Sequence, residues 1–474
     1  MPRIDVPMTI AGEDVETADR MVVLNPATAE PVGEIGVCDQ ALLDTAMEAA
    51  QSAFAHWSLD LEARRGSLVA IADGIEANLA QIADVLTAEQ GKPKRVAMFE
   101  VAEVVRWFRA FATMTPTEER VTAEDGARIF VSRRPLGVVA AITPWNFPLL
   151  LVGWKAAPAL LAGNTMVLKP SPFTPLSTLM VGRVIAAHVP PGVFSVVAGG
   201  DQLGAWMTKH PAPRKISFTG SVRTGSAVMR AAADGIKRVT LELGGNDAAI
   251  VLDDADPDMV ESALFWGAFA NTGQICAGIK RLFLPEHRAD AILERLVARA
   301  ERTVMGDGAE PSTQLGPIQN RPQFERVVGL AEDAYRRGGT PITGGHRLDR
   351  PGYFYAPTIV TGLDDDAPLV AEEQFGPVLP VLTYRKVDDA VRRANATSYG
   401  LSGSVWSSDV SRAAAVAERL QAGTVRVNDH LTFSPHVPFG GWGVSGLGVE
   451  NGPWGLDEFS DIQVLRLPRQ AAST

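Results

Sequence analysis

Cysteine is nearly absent: 474 residues contain two, Cys38 and Cys276. Two cysteines cannot build a disulfide framework. No CxxC or clustered Cys/His spacing offers a zinc site, so no metal is expected. Long apolar runs are also missing. The longest, around Pro148 to Leu161, is interrupted by Gly153, Lys155 and Pro158, so no membrane span is expected. Positive charge is in deficit: 44 Lys and Arg stand against 55 Asp and Glu, for a net charge of -11. That balance favours solubility and argues against nucleic acid or anionic lipid as a partner. The first twenty residues lack a basic stretch followed by an apolar one, so no secretory signal is read and a cytoplasmic location is expected. No fixed-period repeat or low-complexity tract is present.

What remains is an ordinary globular composition, 46% apolar and 21% charged, in a chain too long for one core. Two or three domains are expected. Residues 39 to 113 carry apolar residues at helical spacing, with Gly91 and Pro93 as a stop. From Val138 strands and helices alternate. GVVAAI, TMVLKP, FSVVAG, KISFTG, RVTLELGG and AAIVLDD read as strands, with helices over Leu149 to Leu161, PLSTLMVGRVIAAHV and TGSAVMRAAADG. Such alternation predicts a parallel sheet covered on both faces, with ligands at the carboxyl ends of its strands. A second alternating region follows Cys276 and is punctuated at LGPIQNRP and PGYFYAPT. The tail, DIQVLRLPRQ, reads as one more strand, of a kind that often pairs with another chain.

Few residues are placed for chemistry. Cys276, in NTGQICAG, follows a helix that starts at Pro257 and is expected to end at Gly273, so it lies on a loop. Alone it reads equally as a structural thiol or a nucleophile. Glu242 ends an apolar strand in LELGG, and two glycines after it admit close approach. Desolvation there would raise its pKa toward that of a general base, although a salt bridge or cap is the simpler reading. KISFTGSVRTGS is a glycine-rich turn into a helix and could hold a phosphate on backbone amides, yet it is neither a Walker A loop nor GxGxxG. Asn146 in TPWNFP is pinned between Pro144 and Pro148, suited either to a turn or to an oxyanion. Lys169 in VLKPSP and Glu373 in EEQFGP could meet ribose hydroxyls or stand in solvent.

In this order, TPWNFP, LKPS, FTGS, LELGG, GQIC, EEQFGP and PFGG with SGLG resemble the NAD(P)-dependent aldehyde dehydrogenase superfamily over nearly the whole chain. The resemblance implies an α/β fold of three parts. A Rossmann-type cofactor domain would comprise 1–115 and 137–243, and a catalytic domain 244–448. A small β bridging element, 116–136 with 456–474, would support a homodimer or homotetramer. It implies Cys276 as nucleophile, Glu242 as the base that hydrolyses the thioester, and Asn146 with the Cys276 N–H as oxyanion hole. Lys155 and Glu450 match a proton relay. Trp145, Lys169, Gly220, Ser221, Gly225, Glu373 and Phe375 match cofactor positions. Phe147, Leu150, Trp154, Ile275, Leu431, Phe433 and Phe439 match the wall of the substrate pocket. The partner implied is a small-molecule aldehyde.

The match departs in places. Relatives that prefer NAD often carry Glu three residues after the cofactor lysine. Here Pro172 stands there, so NADP is not repelled, and Arg183 or Arg223 could supply charge. NAD remains the expected cofactor, with dual use open. Gly443 occupies a position where relatives have lysine, and nothing in the sequence explains it. The apolar pocket points to a neutral aliphatic or aromatic aldehyde, with a semialdehyde as the alternative. A coenzyme A-acylating enzyme is disfavoured by Glu242. A hydrolase of another fold lacks a GxSxG elbow. A non-catalytic binding protein would have no use for Cys276, Glu242 and Asn146 together.

Overall fold

The computed structural model describes residues 3–469, so residues 470–474 of the predicted tail lie outside it. Two large sheets organise the chain. The first has eight strands in the order Gly446–Leu447, Arg238–Glu242, Pro213–Thr219, Val138–Ile142, Thr165–Lys169, Phe194–Val196, Met8–Ile10 and Glu13–Val15. The five from Arg238–Glu242 to Phe194–Val196 run parallel, and the strands at both ends are antiparallel additions. The second has seven strands, with Ala248–Val251 and Arg281–Pro285 near its centre. Both are parallel through their middles.

The sequence dictates this locally. Strands such as Thr165–Lys169 and Ala248–Val251 are buried at every residue, as strands covered on both faces must be. The covering helices include Gln40–Trp57, Leu61–Ala77, Leu79–Gln90 and Lys94–Ala112, in the region read as helical. Asp39 and Asp60 cap the first two through Leu42 N and Ala63 N. The most apolar helix, Pro148–Ala162, is buried at 14 of its residues, Lys155 among them. Among the described residues no helix is long and apolar enough to cross a membrane. A third sheet joins Ser460–Leu467, Arg128–Pro135 and Glu118–Thr122, and leaves Ile462, Val464 and Leu465 exposed.

Several boundaries differ from the sequence reading. The helix before Cys276 ends at Phe269, not Gly273. Asn271, Thr272 and Gly273 then form a tight turn with φ of 49°, 59° and 73°. LGPIQNRP does not only divide. Asn320 caps a 16-residue helix, Arg321–Arg336, in which Pro322 sits in the first turn, where a proline costs nothing. The helix after FTG opens two residues early, at Val222, because Ser221 caps it through Thr224 N. The short strands between residues 4 and 36 go beyond the sequence reading.

Candidate active site

Parallel register sets the carboxyl ends of four strands on one rim. Ile142 pairs with Lys169 on one side and Phe218 on the other, and Thr219 pairs with Glu242. The loops carrying Trp145, Asn146, Gly220 and Ser221 leave that rim, as ligand-binding loops of parallel sheets do. The Cys276 turn and the Glu373 loop approach from the second sheet.

Two hollows meet there. One, about 280 Å³, is lined by all seven predicted pocket residues, namely Phe147, Leu150, Trp154, Ile275, Leu431, Phe433 and Phe439. Trp154 fixes its wall, stacking on Trp107 at 5.7 Å and meeting Phe433 and Phe439 edge-on at 5.7 and 5.5 Å. The other, about 510 Å³, is lined by Trp145, Gly220, Ser221, Glu373 and Phe375. Asn146, Thr219 and Cys276 line both, and Glu242 lines the first.

The larger hollow fits a nucleotide. The start of the 12-residue helix Val222–Ala233 opens into it, a ready anion site. Glu373, with one oxygen 3.1 Å from Gly245 N, offers a carboxylate to ribose hydroxyls. A Cβ on Gly244 would stand 2.1 Å from that carboxylate, so a side chain there would displace it. Phe375 holds φ of 48°, a strained value for a side-chain residue. Gln323 pins it through the carbonyls of Gln374 and Phe375, and Trp145 meets its ring edge-on at 5.3 Å.

Two predicted cofactor residues do not line this hollow. Lys169 is buried at its strand end, donates to Pro170 O at 3.1 Å, and burial pulls its ammonium down to about 8. Gly225 lies inside the helix, where its missing side chain lets Leu243 pack: a Cβ would come within 2.5 Å of Leu243. Of the two arginines considered for extra charge, Arg183 is paired with Asp14 at 2.7 Å, and Arg223 lines the hollow.

Glu242 is buried, and neither carboxylate oxygen has a hydrogen bond among the described residues. Burial drives its pKa well above the usual carboxylate range, and Glu450 pushes the same way against Lys155. Lys155 and Glu450 form a fully buried pair at 2.5 Å. The Cys276 thiol is pushed up to about 12, first by burial and then by Glu373 and Glu242, so it rests protonated. Alkylation of the cofactor-free protein by iodoacetamide should therefore keep rising about tenfold per pH unit from pH 7 to 10, because only thiolate reacts. A plateau below pH 8 would contradict this.

Sequence reasoning missed part of the wall. Arg95, Val96 and Phe99 line the smaller hollow from the helix Lys94–Ala112, as do Trp266, Gln314 and Leu315. The available signal was Phe99, an aromatic residue left 61% exposed on an otherwise amphipathic helix. Asp429 and His430, the polar residues that precede the pocket residue Leu431 in the chain, do not line it. His430 is buried and bonded to Ser404 Oγ at 2.8 Å.

The aldehyde dehydrogenase family model matches residues 14–465. Retinaldehyde dehydrogenase 3 of Homo sapiens is 37% identical over 462 residues, 95% of this chain and 90% of that one. The 2-hydroxymuconic semialdehyde dehydrogenase of Pseudomonas sp. (strain CF600) is 38% identical, covering 93% and 94%. The NAD+ complex of an aldehyde dehydrogenase from Bacillus cereus superposes with a TM-score of 0.96 at 34% identity, covering 98% and 97%.

Proposed function

The chain belongs to the aldehyde dehydrogenase family, and on that premise we propose that it oxidises an uncharged aldehyde with an apolar body to the carboxylic acid. The observation that carries this reading is the position of Cys276, where an apolar hollow and a nucleotide-sized hollow meet beside a buried carboxylate.

The Cys276 thiol gives its proton to the Glu242 carboxylate as Sγ adds to the carbonyl carbon and the C=O π pair moves to oxygen, forming the thiohemiacetal oxyanion. The charge that develops on oxygen faces the Asn146 carboxamide and the Cys276 N–H, donors whose worth is greatest where water is excluded. A nicotinamide cofactor, when bound, would accept the hydride, and Gly220 and Ser221 would hold its phosphates, Glu373 a ribose, and Trp145 and Phe375 its ring end. The thioester left on Cys276 is a good acyl donor. Glu242, its earlier proton passed on through Lys155 and Glu450, takes a proton from water as the oxygen attacks the thioester; the C–S bond then breaks, the carboxylic acid leaves, and Cys276 Sγ recovers a proton. Burial raises the Glu242 pKa above the usual carboxylate range, which makes its carboxylate a stronger base than a solvated one. NAD is the proposed cofactor and NADP is tolerated, because Pro172 brings no carboxylate against a 2′-phosphate. Residues 116–136 with 456–474, which include the exposed strand Ser460–Leu467, serve assembly into dimers or tetramers, and residues 1–115 and 137–243 serve chiefly the cofactor.

The pocket's lining selects the substrate. Besides Glu242, its one charged group is Arg95, exposed at the mouth and bonded to Gln314 O at 3.3 Å. Hexanal and benzaldehyde should therefore exceed succinic semialdehyde in kcat/KM by about tenfold or more, the cost of leaving a charge unpaired among aromatics. A reversed order would overturn the uncharged-substrate reading. It would favour a semialdehyde whose carboxylate reaches Arg95.

A further inference from the structure

Two lysines have no part in this chemistry, yet both are buried: Lys92 is 2% exposed and Lys280 1%. Neither lines either hollow. Burying an ammonium is costly unless its donors are satisfied, and each of these two is aimed at a backbone carbonyl of the site. Lys280 Nζ donates to Ile275 O at 2.5 Å and to Gly278 O at 3.4 Å. It has no carboxylate at ion-pair distance among the described residues. Lys92 Nζ pairs with Glu100, donates to Asn146 O at 2.8 Å, and lies 3.9 Å from the ring centre of Phe147.

The geometry of the peptide unit gives these contacts a consequence. No peptide among the described residues is cis, and in a trans unit the carbonyl and the N–H point to opposite sides. Ile275 O faces Lys280, behind the turn. The N–H of the same unit belongs to Cys276 and points the other way, toward the wall that Ile275 and Cys276 present to the smaller hollow. That N–H meets no backbone carbonyl among the described residues. Ile275 O also accepts from Gly278 N at 3.1 Å, so the plane is held from two directions. A cation on the carbonyl polarises the amide and makes its N–H a stronger donor.

The second donor, a side-chain amide, is braced through the main chain from which it hangs. Asn146 O accepts from Lys92 and from Asn271 Nδ2 at 3.1 Å. The Asn146 carboxamide gives one N–H to Gln274 O at 3.0 Å, which leaves the other to point elsewhere. Glu100 completes the brace, since its other oxygen accepts from Leu149 N and Leu150 N at the start of the helix that follows Asn146.

We propose that Lys280 and Lys92 are positioning residues for the oxyanion hole, each ammonium fixing one donor, Cys276 N–H or Asn146 Nδ2, from behind. This rests on the reading of Cys276 as nucleophile and Asn146 as donor.

The test compares two reactions of the same thiol. With p-nitrophenyl acetate, Cys276 Sγ bonds to the carbonyl carbon and the π pair moves to oxygen. The carbonyl then re-forms as p-nitrophenolate leaves, so the hole is used. With iodoacetamide, Sγ displaces iodide from a saturated carbon, and no oxyanion arises. Lys280→Met should slow acylation by about 10- to 100-fold, the scale of a loosened rather than deleted donor, while alkylation stays within about threefold. Lys92→Met combined with Glu100→Gln, which leaves no carboxylate unpaired, should show the same split. It decides the matter alone if Lys280→Met does not fold. Acylation and alkylation falling together, or neither changing, would overturn the proposal. A nitrophenolate burst that survives in Cys276→Ala would instead sink the nucleophile reading on which it rests.

Discussion

Replacing Cys276 by alanine is expected to lower aldehyde turnover about 10⁴-fold or more, roughly 5.5 kcal/mol of barrier, with cofactor binding unchanged. The size follows from what the thiol does. In the proposed cycle it divides one difficult substitution into two easier ones, and among the described residues no other thiol lines both hollows, where Asn146 and Thr219 stand beside it. Glu373, Phe375 and Ser221, proposed to face the cofactor, lie on other elements and should hold their ligand when Sγ is gone. Steady-state rates beside a cofactor titration check this. A variant that keeps a tenth of the activity would mean that Cys276 is not covalent in the reaction, and a variant that loses cofactor binding would mean that the change disturbed the fold.

Glu242→Gln should divide the cycle. Reduced cofactor should appear in a burst stoichiometric with enzyme, after which turnover stalls, with deacylation slowed by about 10²- to 10⁴-fold, the usual span for a lost general base. Glutamine keeps the shape of the carboxylate and cannot take the proton. Glu242 has no hydrogen bond that the amide would break, so a structural explanation of the loss is weak. The pH dependence should show the same division. The wild-type deacylation rate rises with pH as Glu242 ionises, through a midpoint above the ordinary carboxylate range, because burial and Glu450 raise it. The variant should be flat across the same range. Stopped-flow absorbance of the burst and of the phase after it measures both quantities.

Much of this site is legible in the sequence. Asn146, Gly220 and Glu242 follow apolar runs ended by Gly or Pro, and parallel strands bring such ends to one rim whatever the loops do between. Cys276 can be placed on a loop because the apolar stripe stops before it. The aromatic wall is likewise recognisable from Trp154, Phe433 and Phe439. The features that escape depend on contacts distant in sequence. Arg95 and Phe99 belong to a helix whose outer face looks like any solvated face until the Gln314 segment closes over it. Lys92 carries no local mark of its role, since 54 residues of chain separate it from Asn146, onto whose carbonyl it folds back. Lys169 and Gly225 stand apart from the larger hollow. Both stand in motifs that resemble cofactor contacts, yet strand-end burial turns one inward, and helix packing against Leu243 occupies the other. Pro322 reads as a breaker because a proline that ends one element and a proline that opens the next look alike in the chain. Only the apolar spacing of Phe324, Val327, Val328 and Ala331 separates the two roles.

The central claim is a covalent acyl group on Cys276 whose removal needs Glu242. The most direct measurement is peptide mass spectrometry of Glu242→Gln, quenched in acid after mixing with NAD and benzaldehyde or hexanal. The peptide containing Cys276 should carry the benzoyl or hexanoyl increment in proportion to the burst, and the wild type should carry little. Reduced cofactor formed with Cys276 unmodified, or the acyl group found on another residue, would contradict it.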